Sequence, residues 1–187
     1  MKFPMMRLHL GVLAALALVF AVNSKAMPPP APDSEQISKL LVQAKSHAVL
    51  VEDDAADLEA FTRSKLSWKT HALKLQSISE HINALGQVSK ELLDLRPQGS
   101  PWQQMAIDQI DPLLKEMASN LTITINHLRD NQSKVHLTAF REYAHGSYEY
   151  AARTAGMIRD FVEYDKAKSM AESLEAKLSL PADEKSE

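Results

Sequence analysis

Four segments of the chain carry apolar side chains at alternating steps of three and four residues. In the first segment these positions are Ile37, Leu41, Ala44, Ala48, Val51, Ala55 and Leu58. This spacing puts the apolar residues on one face of an α-helix, whereas a half-buried strand would show them at every second residue. Similar stripes follow from Trp68, from Ala106 and from Phe140. The sequence therefore predicts four amphipathic helices.

Capping signals indicate where these helices begin. The strongest is Ser100-Pro101-Trp102-Gln103, with Ser at the cap, Pro at the first helical position and Gln three residues after the cap. Asp33 or Ser34 is expected to cap the first helix, Ser67 the second and Thr138 the fourth. Because short connections make consecutive helices antiparallel, we expect an all-α, up-down-up-down antiparallel four-helix bundle with a long fourth helix.

The third and fourth helices carry features that complicate this pattern. Pro112 lacks a backbone donor and is expected to kink the third helix near residues 107–111. Residues 121–126 alternate with period two, like a strand, but helical stripes flank them, so we expect helix there. The stripe predicted for the fourth helix is Phe140, Tyr143, Ser147, Tyr150, Thr154, Met157, Phe161, Tyr164, Lys168, Ala171 and Leu178. Its last dozen residues are expected either to overhang the bundle or to fold back.

The first 26 residues differ from the rest of the chain. Lys2 and Arg7 precede an apolar run of thirteen residues at 10–22, and Ser24-Lys25-Ala26 offers small residues at positions −3 and −1 of a cleavage site. As a helix this run rises only about 20 Å, less than the roughly 30 Å of a bilayer's hydrocarbon core. We therefore expect a signal peptide that is cut between Ala26 and Met27, and export to the periplasm or the extracellular space. An uncleaved anchor is the alternative.

Proline content and polarity set the other boundaries. Residues 27–33 contain four prolines and are expected to form an extended spacer. Residues 34–180 are expected to form the bundle and residues 181–187 a disordered tail.

Charge and cysteine content narrow the choice of partners. Without the three basic residues of the leader, the chain has 18 basic and 24 acidic residues, a net charge of −6. An acidic chain without a basic cluster argues against nucleic acid as a partner. The absence of Cys suits an oxidising compartment, and no second apolar run reaches membrane-spanning length. The expected partner is a protein, or a second copy of the chain.

Histidines form the most suggestive pattern of candidate ligands. In an up-down bundle, one end gathers His71, His127, His136 and His145, and Asp130, Glu142 and Glu149 fall at the same level. Imidazole suits zinc, copper or nickel, so this end is a candidate metal or pH-sensitive site. No His-x-x-x-His pair supports that idea. We expect these to be separate helix-end histidines and assign no metal ligand.

Other cofactors and enzyme chemistry find less support. His81 and Met117 fall at similar depth on neighbouring helices, with His47 and Met157 nearby, and such a pair resembles the axial ligands of b-type cytochromes. Met at helical spacing is usually core filler, so no cofactor-binding residue is assigned. A di-iron site is rejected because Glu142-x-x-His145 stands alone, and no hydrolase motif is present. We expect no cofactor, no catalytic residue and no enzymatic activity.

Small and polar residues also fall within the predicted helices. Gly86, Gly146 and Gly156 each cost about 1 kcal/mol relative to Ala, and close helix packing is the expected reason for them. Asn120, Thr124 and Asn131 fall on or beside the inner stripe of the third helix. These polar residues either face a ligand or set the register of the helices, and we expect the second.

From Trp68 to Leu137, and most of all between Ser100-Pro101-Trp102-Gln103-Gln104 and Ile125-Asn126-His127-Leu128, the chain resembles a group of small exported bacterial helical proteins without an assigned function. This resemblance implies an exported helical bundle and transfers no site residue. The Leu-Thr-x-x-Gln pattern of exported helical stress chaperones is incomplete, because Arg141 holds its last position. We expect a non-enzymatic protein for interaction or scaffolding in the cell envelope; the alternative is a metal- or haem-binding periplasmic bundle.

Overall fold

The structure is a computed structural model that describes residues 31–178. Four α-helices follow one another along this part of the chain: α1 Glu35–Phe61, α2 Trp68–Leu95, α3 Pro101–Asp130 and α4 Thr138–Leu178. Short 3-10 turns at Arg96–Gln98 and Gln132–Lys134 lie in the second and third connections. No β-strand occurs between residues 31 and 178. The prediction of an all-helical fold with four packed helices is confirmed.

Several sequence predictions concern residues beyond this range. The signal peptide of residues 1–26, residues 27–30 of the spacer and the tail of residues 181–187 lie outside the described residues. Residues 31–34 precede α1 without regular secondary structure. None of the helices between residues 31 and 178 combines the length and the apolarity that crossing a membrane requires.

The starts of α1 and α3 follow the capping signals of the sequence, whereas the prediction for α4 was wrong, because Thr138 is the first residue of that helix and not the cap before it. Of the two candidate caps for α1, Ser34 takes the position, and its hydroxyl oxygen accepts a hydrogen bond from the backbone N–H of Ile37. α3 begins at Pro101, and the side chain of Gln103 accepts a hydrogen bond from the backbone N–H of Ser100. Ser67 precedes α2 without a side-chain capping bond. At the starts of α1 and α3, polar side chains thus accept hydrogen bonds from backbone donors that the helix itself leaves unpaired.

Each helix packs against two neighbours, α1 against α2 and α4, and α3 against the same two. The α1–α4 and α1–α2 interfaces are the most extensive, and the α2–α3 interface is the least. The largest side chains that are fully buried between the helices include Ile37, Leu41, Leu58, Leu75, Ile78, Leu85, Leu92, Ile107 and Ile110. Each such side chain contributes about 1.5–3 kcal/mol through its removal from water. Burial of these faces holds the four helices together.

The buried face of α4 differs from the stripe that the sequence predicts. The buried positions are Phe140, Ala144, Ser147, Ala151, Thr154, Ala155, Ile158 and Val162. The predicted aromatic positions Tyr143, Tyr150 and Phe161 are only half-buried, and Tyr164 is exposed. The reason is size, because three alanines of α4 join the three alanines of α1 in the core and small side chains let two helices approach closely. The larger rings are left at the edges.

Two predictions about irregular helix features have clear outcomes. Residues 121–126 of α3 are helical despite their alternating pattern, and Pro112 lies inside the same helix. α4 runs without interruption to Leu178, so its end does not fold back within the described residues. Every side chain from residue 169 to residue 178 is exposed.

Candidate functional site

His71 is the most deeply buried of the predicted candidate ligands. Its side chain is fully buried near the start of α2, and its Nδ1 lies 2.9 Å from the backbone oxygen of Ser67. Edge-on rings of Phe61 and Phe140 surround it, with ring centroids 6.4 and 5.3 Å away. Its Nε2 is buried without a hydrogen-bond partner in the part of the chain that the structure describes. His71 therefore serves as a packing residue between α1, α2 and α4.

The other three histidines of this group have separate surroundings. The ring of His127 stacks on Phe140 and lies 4.6 Å from the ring centre of Tyr143. The ring of His145 lies between two carboxylates, with its Nδ1 3.5 Å from Glu59 and its Nε2 3.3 Å from Glu149. His136 is exposed in the connection before α4.

The four histidines do not form one ligand set. The ring of Phe140 packs against the imidazoles of both His71 and His127, so the neighbour that these two histidines share is an apolar ring. Among residues 31–178, no group of three or more His, Asp or Glu side chains is placed to hold a metal ion. The position of each histidine in the sequence determines how far along the bundle it lies. It does not determine the direction in which the side chain points.

His81 and Met117, the candidate haem ligands, have different surroundings. Nε2 of His81 is 3.6 Å from Asp54 of α1, whereas Met117 is buried in the core. Nδ1 of His47 is buried without a hydrogen-bond partner among the described residues. The contact that the structure gives His81 is thus with α1 and not with the methionine of α3.

Asp54 is the centre of a polar network between α1 and α2 that the sequence did not reveal. Its carboxylate accepts hydrogen bonds from Lys74, at 2.9 Å, and from the hydroxyl of Ser77. Lys74 also donates to Asp57 at 3.0 Å. Burial acts to raise the pKa of Asp54, but the bonds from Ser77 and Lys74 outweigh it and hold that pKa below its ordinary value. The same bond to Asp54 raises the pKa of Lys74.

A second polar cluster lies between α3 and α4. The hydroxyl oxygens of Thr124 and Ser147 are 3.0 Å apart, and Ser147 donates a hydrogen bond of 2.8 Å to the side-chain oxygen of Asn120. A Cβ added to Gly146 would lie 3.1 Å from Nδ2 of Asn120, so the glycine allows this close approach. Asn131 donates to the backbone oxygen of His127 at the end of α3. The hydroxyl of Thr124 also donates to the backbone oxygen of Asn120, so Ser147 is the side chain that both Thr124 and Asn120 contact.

A cluster around Asp33 ties the start of α1 to α3 and α4. The indole N–H of Trp102 donates to Asp33 at 2.7 Å, and Lys168 of α4 donates to the same carboxylate. The buried amide of Gln103 bonds both the N–H and the C=O of Ser34, at 2.8 and 2.9 Å. Burial acts to raise the pKa of Asp33, but the bonds from Lys168 and Trp102 prevail and lower it.

A groove of about 380 Å³ opens between the first half of α2 and the last part of α3. Its apolar lining is Trp68, Ala72, Leu75, Ile125 and Leu128, and its polar rim is Gln76, Ser79, Glu80, Arg129 and Gln132. Leu75 and Leu128 form a buried floor, whereas Ile125 is 36% exposed. Pockets of roughly 300–1,000 Å³ with apolar walls and a polar rim are common binding sites. We refer to this feature as the groove.

No pattern in the sequence indicated the groove. Trp68, Leu75 and Leu128 belong to the apolar stripes of their helices and look like ordinary core positions. A stripe shows which face of a helix is apolar, but it does not show whether the facing helix is close enough to cover it. The small interface between α2 and α3 leaves this part uncovered.

A row of exposed apolar side chains marks the end of α4. Met170, Leu174 and Leu178 are 67%, 52% and 85% exposed, and they repeat every four residues along one face. We call these three residues the terminal stripe. Isolated exposed apolar side chains are normal, but a row on a helix that extends beyond its packed neighbours marks a candidate contact surface.

Comparisons of the chain with protein families, with curated proteins and with solved structures find no match.

Proposed function

We propose that this chain is an exported, non-enzymatic helical-bundle protein that acts by binding other proteins through its surface, as an interaction or scaffolding protein of the cell envelope. Residues 1–26 support export, because a charged start, a short apolar run and a small-residue cleavage site occur in the order of a signal peptide. We also propose that it is related to the small exported bacterial helical proteins that its middle part resembles.

The proposed topology is an up-down-up-down antiparallel bundle with a long fourth helix. Its support comes from contacts at the two ends of α4. Phe140, near the start of α4, packs on His71 near the start of α2. Tyr164 packs on Trp102 at the start of α3, and the next turn brings Lys168 to Asp33 beside the start of α1. These pairings are those that antiparallel neighbours with short connections would make.

The observation that carries the interaction role is the terminal stripe. All ten residues from 169 to 178 are exposed, yet the helix continues through them with three large apolar side chains on one face. An isolated helical segment this short is marginal in water, and an apolar row adds nothing to its solubility. Recognition of an amphipathic helix by a groove is a common mode of protein binding.

Two measurements test this proposal in cells that express the full chain. N-terminal sequencing of the exported product is expected to start at Met27. A photo-crosslinking amino acid at position 174 is expected to give a discrete protein adduct, and the same group at Ser173, which is also exposed but off the stripe, is expected to give none. Retention inside the cell, or the absence of any adduct specific to position 174, would contradict the proposal.

The metal- or haem-binding alternative predicts different properties. Purified protein with a haem absorption band would contradict the proposed role, as would stoichiometric zinc or copper that is lost in a His71→Ala/His127→Ala/His145→Ala variant.

A further inference from the structure

Two apolar features of the molecule lack a counterpart within the described residues. The groove exposes part of its apolar lining between α2 and α3, and the terminal stripe exposes three large side chains on α4. Exposed apolar area of this kind loses about 25 cal/mol of stabilisation for each Å² that stays in water. The groove is concave and the terminal stripe forms a ridge, so the two surfaces have complementary shapes.

The two features of one molecule cannot reach each other. Phe140 packs on His71, one turn from the groove residue Trp68, and so marks the end of α4 that lies near the groove. Met170 follows Phe140 by thirty residues of continuous helix, which rise about 45 Å. The stripe of one copy therefore lies at the far end of its own bundle from its own groove.

We propose that the terminal stripe of one copy docks into the groove of a second copy, so that molecules associate head to tail. This inference rests on the proposed interaction role and names the partner as the same chain.

The dimensions of the two surfaces agree. The stripe lies on a ten-residue segment, 169–178, that is about 15 Å long. Along α2 the groove runs from Trp68 to Glu80, a rise of about 18 Å. Side chains four residues apart form a ridge, and a ridge of this kind packs into the channel between two neighbouring helices.

Charge at the rim favours one direction of docking. Glu80 lies at the end of the groove away from Trp68, and it accepts a hydrogen bond from Gln76. Lys177 precedes Leu178 at the tip of the described helix. When the C-terminal tip of the docked helix points toward the Glu80 end of the groove, Lys177 comes near the carboxylate of Glu80. These two opposite charges attract each other.

The small size of the contact sets the expected strength and form of the assembly. A ten-residue segment covers less than the roughly 800 Å² per partner of a stable interface, so we expect association in the micromolar range. Because the two surfaces differ, the contact is heterologous and each added copy leaves a free groove and a free stripe. The expected products are short open chains whose length grows with concentration.

Single substitutions in the exported form, residues 27–187, test both surfaces by sedimentation velocity over a range of concentrations. Leu174→Glu on the stripe and Ile125→Glu in the groove are each expected to weaken association about tenfold or more, because each buries an unpaired charge. Ser173→Glu and Ile123→Glu are matched controls on the same helices, exposed but outside the contact, and both are expected to associate like the parent.

A mixture of the two broken variants gives the sharpest test. Leu174→Glu keeps its groove and Ile125→Glu keeps its stripe, so together they are expected to form a one-to-one dimer and nothing longer. If the mixture stays monomeric while the parent associates, the head-to-tail contact is wrong. If the parent is monomeric at every concentration, the inference is wrong while a different partner at position 174, found by crosslinking, would still support the proposed function.

A charge exchange covers the case in which a groove variant fails to fold. Lys177→Glu and Glu80→Lys both change exposed side chains and are expected to weaken association several-fold. The combined Lys177→Glu/Glu80→Lys variant is expected to recover the parent's association. Full additivity of the two losses, or unchanged association in all three variants, would overturn the proposed docking direction.

Discussion

Three glycines lie inside the four helices of residues 31–178, and among these three only Gly146 would bring an added Cβ close to a neighbouring side chain. A Cβ built on Gly86 or on Gly156 has no atom within 4 Å outside its own helix backbone, whereas one on Gly146 would lie 3.1 Å from Asn120. The expected reason for these glycines, close helix packing, therefore applies to Gly146 alone. The structure gives no packing reason for the other two.

Gly86→Ala and Gly156→Ala are each expected to raise the free energy of unfolding by about 0.5–1 kcal/mol. The cause is that an alanine loses less conformational entropy on folding than a glycine does, and no clash offsets this gain. Urea unfolding followed by circular dichroism measures the change. Gly146→Ala is the control, and it is expected to gain clearly less because Asn120 must shift. An equal gain at all three positions would show that the contact with Asn120 has no energetic effect.

Asp54 makes the stability of the molecule sensitive to acid. Its pKa in the folded protein lies below its ordinary value of 3.8, so the folded state binds this proton less readily than the unfolded state does. Its contribution is therefore present above pH 3.8 and is lost as the pH falls through the lowered pKa. The contribution of Lys74 to stability has the opposite pH dependence. Because the pKa of Lys74 is raised in the folded protein, this contribution is lost only at strongly alkaline pH.

Asp54→Asn is expected to lower the free energy of unfolding by about 2 kcal/mol near neutral pH, since it removes hydrogen bonds to a charged group. The deficit is expected to shrink as the pH falls below 3.8 and the parent carboxylate becomes protonated. Asp53→Asn, at the exposed neighbouring position, is expected to change little at either pH. A deficit for Asp54→Asn that does not depend on pH would contradict this account.

At the scale of elements, short-range signals predicted the helices well and their buried faces less well. The Ser100 to Gln103 signal and the stripe from Trp68 identify the starts of α3 and α2, because a cap needs only residues within one turn. The predicted buried face of α4 included aromatic residues that in fact lie at the edges of that face. Alanine and tyrosine are both compatible with an apolar face, and only the closeness of α1 decides which of them is buried.

The Thr124–Ser147 contact is expected to couple α3 and α4. In a double-mutant cycle of Thr124→Val and Ser147→Ala, we expect a coupling free energy of about 0.5–1.5 kcal/mol, because their hydroxyls bond each other in a buried site. Thr154→Val serves as the control partner, since the hydroxyl of Thr154 bonds the backbone oxygen of Tyr150 in its own helix. Thr124→Val and Thr154→Val are expected to be additive. Coupling of equal size in both cycles would refute a direct contact.

At the scale of the molecule, the sequence predicted the fold class but not the candidate site. Apolar periodicity is enough to predict four packed helices, and the structure confirms that level of description. The groove depends on how far α2 and α3 stand apart, which is set by side chains of all four helices together. The candidate histidines show the same limit, because their levels were predicted but their directions depend on neighbours such as Phe140.

Removal of everything after Lys168 is expected to leave the bundle intact. The side chains from 169 to 178 are exposed, and the Lys168–Glu172 ion pair that is lost is a surface pair of little energetic value. At low protein concentration the free energy of unfolding is expected to change by less than about 0.5 kcal/mol. The helical signal in circular dichroism is expected to fall only by the share of the removed segment. A loss of several kcal/mol would mean that this segment is part of the core.

The positions of Trp68 and Trp102 have a practical consequence, because the chain has no other tryptophan. One ring lines the groove, and the other bonds Asp33 and packs on Tyr164. The length of α2 keeps them about 40 Å apart, too far for either to sense the other's surroundings directly. A Trp102→Phe protein would thus keep a single tryptophan beside the groove, and a Trp68→Phe protein one beside Asp33. With excitation that is selective for tryptophan, solvent exposure at each place can be followed separately without any added dye.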